Sequence, residues 1–154
     1  MRSTVLVLLM IGFLNVAEAQ LAADAKAGLS IFTGSGNSTG LLFGGGIDLP
    51  LHQNLFARPE FNLTTHGGTP IELAAVAKLY LPEAKNSLYV DAGLGLWFHS
   101  GGSSLGLDFG AGMLFPLTGS RLLIPAEVRI GPVFASGETF MQFALTSGVR
   151  FSIN

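Results

Sequence analysis

The feature that most constrains this chain is a strict alternation of large apolar residues with small or polar ones. In 88–98, the even positions carry Leu, Val, Ala, Leu, Leu and Phe, whereas the odd positions carry Tyr, Asp, two glycines and Trp. A period of two places successive side chains on opposite faces of a β-strand. The alternation therefore predicts strands with one apolar face and one face of small, polar or charged residues.

Eight segments show this alternation, and turn-forming residues separate them. The segments are 24–34, 40–49, 55–65, 71–81, 88–99, 105–116, 121–134 and 139–153. Because short turns connect only neighbouring antiparallel strands, they predict an all-β fold: an eight-stranded antiparallel up-and-down barrel in which the first strand pairs with the last. Pro59, Pro125 and Pro132 fall inside these segments and each removes a ladder donor, so we expect bulges, above all near Pro125.

The charged residues indicate which face of the strands points inward. Apart from Asp24 and Arg121 at the segment ends, eleven charges lie within the segments, all on the phase opposite to the large apolar side chains: Lys26, Asp48, Arg58, Glu60, Glu72, Lys78, Asp91, Asp108, Glu127, Arg129 and Arg150. A lysine or arginine that faces lipid at mid-depth costs ~2–4 kcal/mol, which explains this exclusion. Charged residues also form only 12% of the chain, whereas ~25–35% is usual at a soluble surface. The pattern therefore predicts a transmembrane β-barrel with its apolar wall towards lipid.

The interior of such a barrel is just wide enough for side chains to fill it. Buried charges must be paired and hydrogen-bonded. We therefore predict an interior charge network formed by Arg58, Glu60, Lys78, Asp91, Glu127, Arg129 and Arg150. Two functions fit this interior. One is a self-satisfied polar plug in a protein with a structural or surface-interaction role, and the alternative is a narrow passive pore for ions or small solutes.

The beginning of the chain is typical of a secretory signal peptide. Arg2 provides a short positive region, 5–16 is mostly apolar, and 17–19 reads Ala-Glu-Ala. This last pattern is a cleavage site of the A-x-A type, so we expect cleavage before Gln20. The apolar run is too short for the ~20 residues that a membrane-spanning helix needs. The sequence therefore predicts a signal peptide over 1–19.

The signal peptide, the eight alternating segments and the inward charges together resemble the OmpA/OmpX-type small outer-membrane barrels of Gram-negative bacteria. This resemblance implies that 20–154 is an outer-membrane β-barrel domain, located in the bacterial outer membrane, in contact with its lipid and monomeric. The last segment resembles the signal read by the barrel-assembly machinery, in which a glycine precedes alternating hydrophobic residues. Here those residues are Gly148, Phe151 and Ile153, which implies that this machinery is a partner during biogenesis.

Residues with catalytic or binding chemistry are scarce in this sequence. There is no cysteine, and nine acids against seven bases in 20–154 argue against nucleic acid as a partner. His66, His99 and Asp108 could approach one another at the outer rim, but their spacing is not that of a zinc motif. The pair His99-Ser100 does not reproduce the His-x-Ser arrangement of outer-membrane deacylases. We therefore predict no catalytic, cofactor-binding or metal-binding residue, no cofactor, and a protein that is not an enzyme.

Overall fold

The computed structural model describes residues 21–34, 36–66, 69–81 and 87–153. The predicted signal peptide over 1–19 lies outside these residues. The described chain forms eight strands: β1 (Leu21–Thr33), β2 (Ser38–His52), β3 (Leu55–Thr64), β4 (Ile71–Tyr80), β5 (Leu88–His99), β6 (Gly102–Pro116), β7 (Leu122–Ala135) and β8 (Glu138–Ile153). No helix among the described residues is long and apolar enough to cross a membrane.

The eight strands form one closed barrel in which every strand pairs antiparallel with its sequence neighbours. Closure is made by β1 and β8, which pair from Leu21 opposite Ile153 to Thr33 opposite Met141. The predicted all-β fold, an eight-stranded antiparallel barrel with the first strand beside the last, is confirmed. Closure leaves no sheet edge with unpaired backbone groups.

Three strands are longer than the alternation predicts. β1 begins at Leu21 rather than at residue 24, β2 extends to His52 rather than to residue 49, and β6 begins at Gly102 rather than at residue 105. These stretches contain small, polar or turn-forming residues, but backbone pairing with the neighbouring strand continues. Gly102 also has a φ of +134°, a conformation that favours glycine and reverses the chain between β5 and β6.

The prolines disturb the barrel less than expected. The bulge predicted near Pro125 is wrong, because β7 keeps the same register against β8 on both sides of this residue. The hydroxyl of Ser147 on β8 instead donates to the carbonyl oxygen of Pro125 at 2.9 Å. A register shift does occur between Pro50 and His52, where β2 turns into β3. The irregularity therefore lies at a barrel end, where fewer ladder bonds are lost.

The two faces of the sheet have opposite chemistry. Large apolar side chains from all eight strands are exposed on the outside, including Leu94 at 53% and Val128 at 56% of their full exposure. Twelve charged side chains are buried inside: Asp24, Lys26, Asp48, Arg58, Glu60, Glu72, Lys78, Asp91, Asp108, Glu127, Arg129 and Arg150. The barrel is thus apolar outside and charged inside.

An apolar cluster lies inside each end of the barrel. We define the lower end as the one that contains the start of β1 and the end of β8, and the upper end as the opposite one. At the upper end Phe32, Trp97 and Val133 form a cluster, with Phe140 packed against it; we call this the rim cluster. At the lower end a second cluster consists of Tyr80, Tyr89 and Leu114, with Phe56 and Leu123 packed against it. Most of the buried charges lie between the two clusters, whereas Glu72 pairs with Trp97 and Arg150 with Leu123 in the strand register.

Candidate functional site

Glu60 lies at the centre of the charged interior and contacts three cations from three different strands. Lys26 Nζ is 2.9 Å from Glu60 Oε2. Arg129 binds both carboxylate oxygens, through Nη1 at 2.7 Å and Nη2 at 3.1 Å. The third partner is Arg58, which donates from Nε to Glu60 Oε1. Alternation points all four side chains inward, and burial makes each charge-assisted hydrogen bond stronger than it would be in water.

Arg58 connects this centre to the lower half of the barrel. Its side chain is only 1% exposed, and its terminal nitrogens bind two aspartates, Asp24 Oδ1 at 2.5 Å and Asp48 Oδ1 at 2.7 Å. Asp48 also accepts from Arg150 Nη1 at 2.5 Å and from the Tyr80 hydroxyl at 2.9 Å. The planar guanidinium suits this role, because its five donors have fixed directions that match several carboxylates at once.

Arg129 connects the centre to β5 and β7. Its Nη2 atom lies 2.9 Å from Glu127 Oε1 and 3.7 Å from Asp91 Oδ1. The second oxygen of Glu127 accepts from the Tyr89 hydroxyl at 2.9 Å. Lys78 lies at the margin, 4.0 Å from the nearest oxygen of Asp48. Its Nζ stands 3.9 Å from the centroid of the Tyr89 ring, a position in which an aromatic face attracts a cation.

All seven residues predicted for the charge network are buried. The structure brings Arg58, Glu60, Glu127 and Arg129 into close ion pairs, and Arg150 joins them through Asp48. Lys78 and Asp91 are more loosely held, and neither carboxylate oxygen of Asp91 has a hydrogen bond.

Sequence reasoning left three close partners, Asp24, Lys26 and Asp48, out of the network. Lys26 and Asp48 lie on the inward phase, so the same signal could have included them. Asp24 shares the phase of Lys26, but it is the first residue of the predicted segment and was treated as a strand end.

Glu72 and Asp108 differ from the other buried acids. Within the described part of the chain, neither forms an ion pair. Asn62 Nδ2 donates to Glu72 Oε2 at 2.8 Å. A methyl group at Gly95 would overlap Glu72 Oε1 and lie 3.3 Å from Asp108 Oδ2, so the two carboxyl groups face each other beside this glycine. Seven acids and five bases are buried inside, and these two acids are the ones without a base.

The interior between the charged side chains is closely filled. The cavity beside Lys26, Arg58 and Glu127 has a volume of about 10 Å³, which holds no more than about one water molecule. The apolar clusters occupy the two ends of the barrel beyond these charged side chains.

The hydrogen bond between His99 and Ser104 is not arranged to activate the serine. His99 Nε2 lies 3.1 Å from Ser104 Oγ, but the backbone N–H of Gly101 donates to His99 Nδ1 at 3.2 Å. Since Nδ1 accepts, the neutral ring carries its proton on Nε2 and donates to the serine. A nucleophilic serine needs the reverse arrangement, in which the histidine accepts its proton.

The three residues considered for a metal site are separated. His66 and His99 line a pocket at the upper rim to which Asp108 does not contribute. Among the residues that the structure describes, no group of three metal-ligating side chains is close enough to hold an ion. Burial lowers the pKa of His66, so this side chain remains neutral at pH 7.

The barrel fold recurs in a solved structure, the N-terminal β-barrel domain of OprF from Pseudomonas aeruginosa. The two align with a TM-score of 0.55 at 15% sequence identity, over 86% of this chain and 97% of that domain. The fold is that of a small eight-stranded outer-membrane β-barrel. The resemblance predicted from the sequence is thereby confirmed at the level of the fold.

Two further solved structures are similar with lower scores. One comes from a study of de novo designed transmembrane β-barrels, with a TM-score of 0.49, 12% identity and coverage of 87% of this chain and 95% of that chain. The other is Ail, the attachment invasion locus protein of Yersinia pestis, in complex with the heparin analogue sucrose octasulfate, with a TM-score of 0.47, 14% identity and coverage of 86% and 99%. No protein-family model and no curated protein matches this chain.

Proposed function

We propose that the protein is an integral protein of the bacterial outer membrane, with a structural or surface-interaction role and no enzymatic activity. The observation that carries this proposal is the apolar outer wall, which exposes large hydrophobic side chains on every strand. A soluble monomer rarely exposes a continuous apolar patch above a few hundred Å², whereas lipid requires such a wall. The closed barrel offers no free edge to a second copy, which supports a monomer whose main partner is outer-membrane lipid.

Cell fractionation tests this location. The protein should be recovered with the outer membrane, should require detergent for extraction, and should change its electrophoretic mobility on boiling because the barrel unfolds. Amino-terminal sequencing of the extracted protein should begin at Gln20 if residues 1–19 are removed during export. Recovery of the wild-type protein in the soluble periplasmic fraction would refute the proposal.

The interior supports a plug rather than a conduit in this proposal. The ion pairs around Glu60 span the barrel, and the neighbouring cavity holds about one water molecule. In planar bilayers the purified protein should therefore show no general-porin conductance. Stepwise conductance in the wild type, of porin size or smaller, would instead favour the alternative function, a narrow passive pore for ions or small solutes.

The proposal includes insertion by the barrel-assembly machinery, which would read Gly148, Phe151 and Ile153. Phe151 and Ile153 are 45% and 42% exposed on the outside of β8, where a receptor can reach them before closure. Phe151→Ser should lower the amount of folded barrel in cells several-fold. Phe143→Ser provides the matched control, because Phe143 lies on the same face of β8 at 41% exposure but outside the terminal signal. If both variants lower the amount of folded barrel equally, the role of Phe151 is contact with lipid and not recognition by the assembly machinery.

A further inference from the structure

The upper end of the barrel holds a pocket of about 270 Å³, which we call the rim pocket. Its volume lies just below the ~300–1,000 Å³ usual for small-molecule sites, so it suits a ligand with a single ring. Most of its wall comes from the rim cluster and from the ends of the upper strands, and the described lining residues carry no acidic side chain, lysine or arginine. The pocket therefore favours an uncharged occupant.

Aromatic rings form the walls of the rim pocket. The ring of Phe32 lies at the centre, with its centroid 4.3 Å from that of His66 and 5.4 Å from that of Trp97. The Trp97 ring stands edge-on to Phe32, with an interplanar angle of 89°, and Phe140 adds a fourth ring to the lining. Such surfaces recognise another aromatic ring through offset or edge-to-face contacts, beyond the area that it buries.

Two polar groups on the wall remain available to a ligand. Ser104 accepts a hydrogen bond from His99 Nε2, which leaves its own hydroxyl hydrogen free to donate. Nδ1 of His66 is buried and has no hydrogen-bond partner, which is unfavourable for a buried polar atom when nothing compensates it. A ligand hydroxyl can accept from the serine or donate to the imidazole.

We propose that the rim pocket binds a small uncharged aromatic molecule that carries a hydroxyl group. The ring packs against Phe32, Trp97 and Phe140, and the hydroxyl meets Ser104 or His66. This inference goes beyond the proposed structural role and does not depend on the cellular location, because the pocket belongs to the folded barrel itself.

The indole N–H of Trp97 makes binding directly observable. The chain contains one tryptophan, so the ¹⁵N-labelled protein in detergent micelles gives a single indole N–H signal in NMR spectra. Benzyl alcohol is the probe, and cyclohexylmethanol, which has the same hydroxyl on a saturated ring, is the matched control. Benzyl alcohol should shift the signal saturably, and cyclohexylmethanol should bind about tenfold more weakly.

Substitutions inside and outside the rim pocket test whether benzyl alcohol binds there. Ala135 lines the pocket, whereas Ser136 is exposed in the adjacent turn and does not line it. Ala135→Leu should abolish the saturable shift, and Ser136→Leu should keep the wild-type affinity. Ser104→Ala should weaken binding about fivefold, as expected for one lost hydrogen bond, and it tests the site independently if Ala135→Leu does not fold.

Two results would overturn the proposal. A linear, non-saturating shift that Ala135→Leu shares would show only partition of the alcohol into the micelle. Equal affinity for the two alcohols would show that the rings of the pocket do not select an aromatic ligand. Mobility on unboiled gels, measured for every variant, separates loss of binding from loss of the folded barrel.

Discussion

Arg129 shows how single residues hold the interior together. It binds Glu60 through two nitrogens and also contacts Glu127. Truncation of Arg129 leaves the buried carboxylates of Glu60 and Glu127 with fewer cationic partners. An unpaired buried charge destabilises the folded state far more than the loss of a surface ion pair does.

Arg129→Ala should therefore lower the free energy of unfolding by ~3–5 kcal/mol and raise the ion conductance, because water enters the space that the guanidinium leaves. Urea titration in lipid vesicles and planar-bilayer recordings measure the two effects. Arg121→Ala is the control, since Arg121 is exposed in the turn between β6 and β7. If Arg129→Ala changes neither quantity, the interior is not a plug held by ion pairs.

Glu72 and Glu60 are both buried glutamates, yet their neutralisation should have opposite effects. Glu60 contacts three cations, whereas Glu72 faces Asp108 and has no base. Glu72→Gln replaces an acid that has no base beside it with a neutral amide and keeps an oxygen for Asn62, so it should raise the free energy of unfolding by about 1–3 kcal/mol at pH 7. Glu60→Gln should lower it, and the same urea titration compares both. Destabilisation by Glu72→Gln would mean that its carboxylate has a partner that the geometry does not reveal.

At the scale of the strand, depth in the membrane decides what a substitution costs. Leu94 lies in the middle of β5 and faces outward. Leu94→Arg should destabilise the inserted barrel by ~2–4 kcal/mol, because the charge meets hydrocarbon. Leu117→Arg, in the turn after β6, should cost no more than about 1 kcal/mol, since it lies near the interface. Refolding titrations in bilayers of defined thickness measure both values, and similar costs would place Leu94 away from mid-membrane.

The strands also show what sequence reasoning could and could not predict. Alternation alone identified eight strands and their inward faces, because lipid excludes charge from the outer phase. Alternation did not predict that Asp24 lies beside Arg58. In a tilted barrel, the stagger between strands decides which residues of different strands lie at the same height. For the same reason the isolation of Glu72 from the five bases was not predictable. The rim pocket left a readable signal, since Phe32 and Trp97 lie on the inward phase beside the upper turns.

At the scale of the whole molecule, the barrel is filled in layers. Apolar clusters lie at both ends, and the ion pairs and the carboxyl pair lie between them. The layers explain how a charged interior can be stable, because the ion pairs around Glu60 and Asp48 compensate most of the buried charge. The carboxyl pair and Asp91, whose oxygens have no hydrogen bond, are exceptions. They also separate the rim pocket from the charge network, so a ligand at the upper end and a substitution near Glu60 should act independently.

The pairing of β1 with β8 has a consequence for the order of folding. The contact that closes the barrel joins Leu21 to Ile153, so it cannot form until all eight strands have been synthesised. Contacts between residues so far apart in sequence form slowly, because the chain loses the conformational entropy of loop closure before the new contacts stabilise the fold. Until β8 pairs with it, β1 is an edge strand whose unpaired backbone groups can bind a strand of another chain. A partly folded chain in which β8 has not yet paired with β1 therefore needs protection from aggregation until the barrel closes.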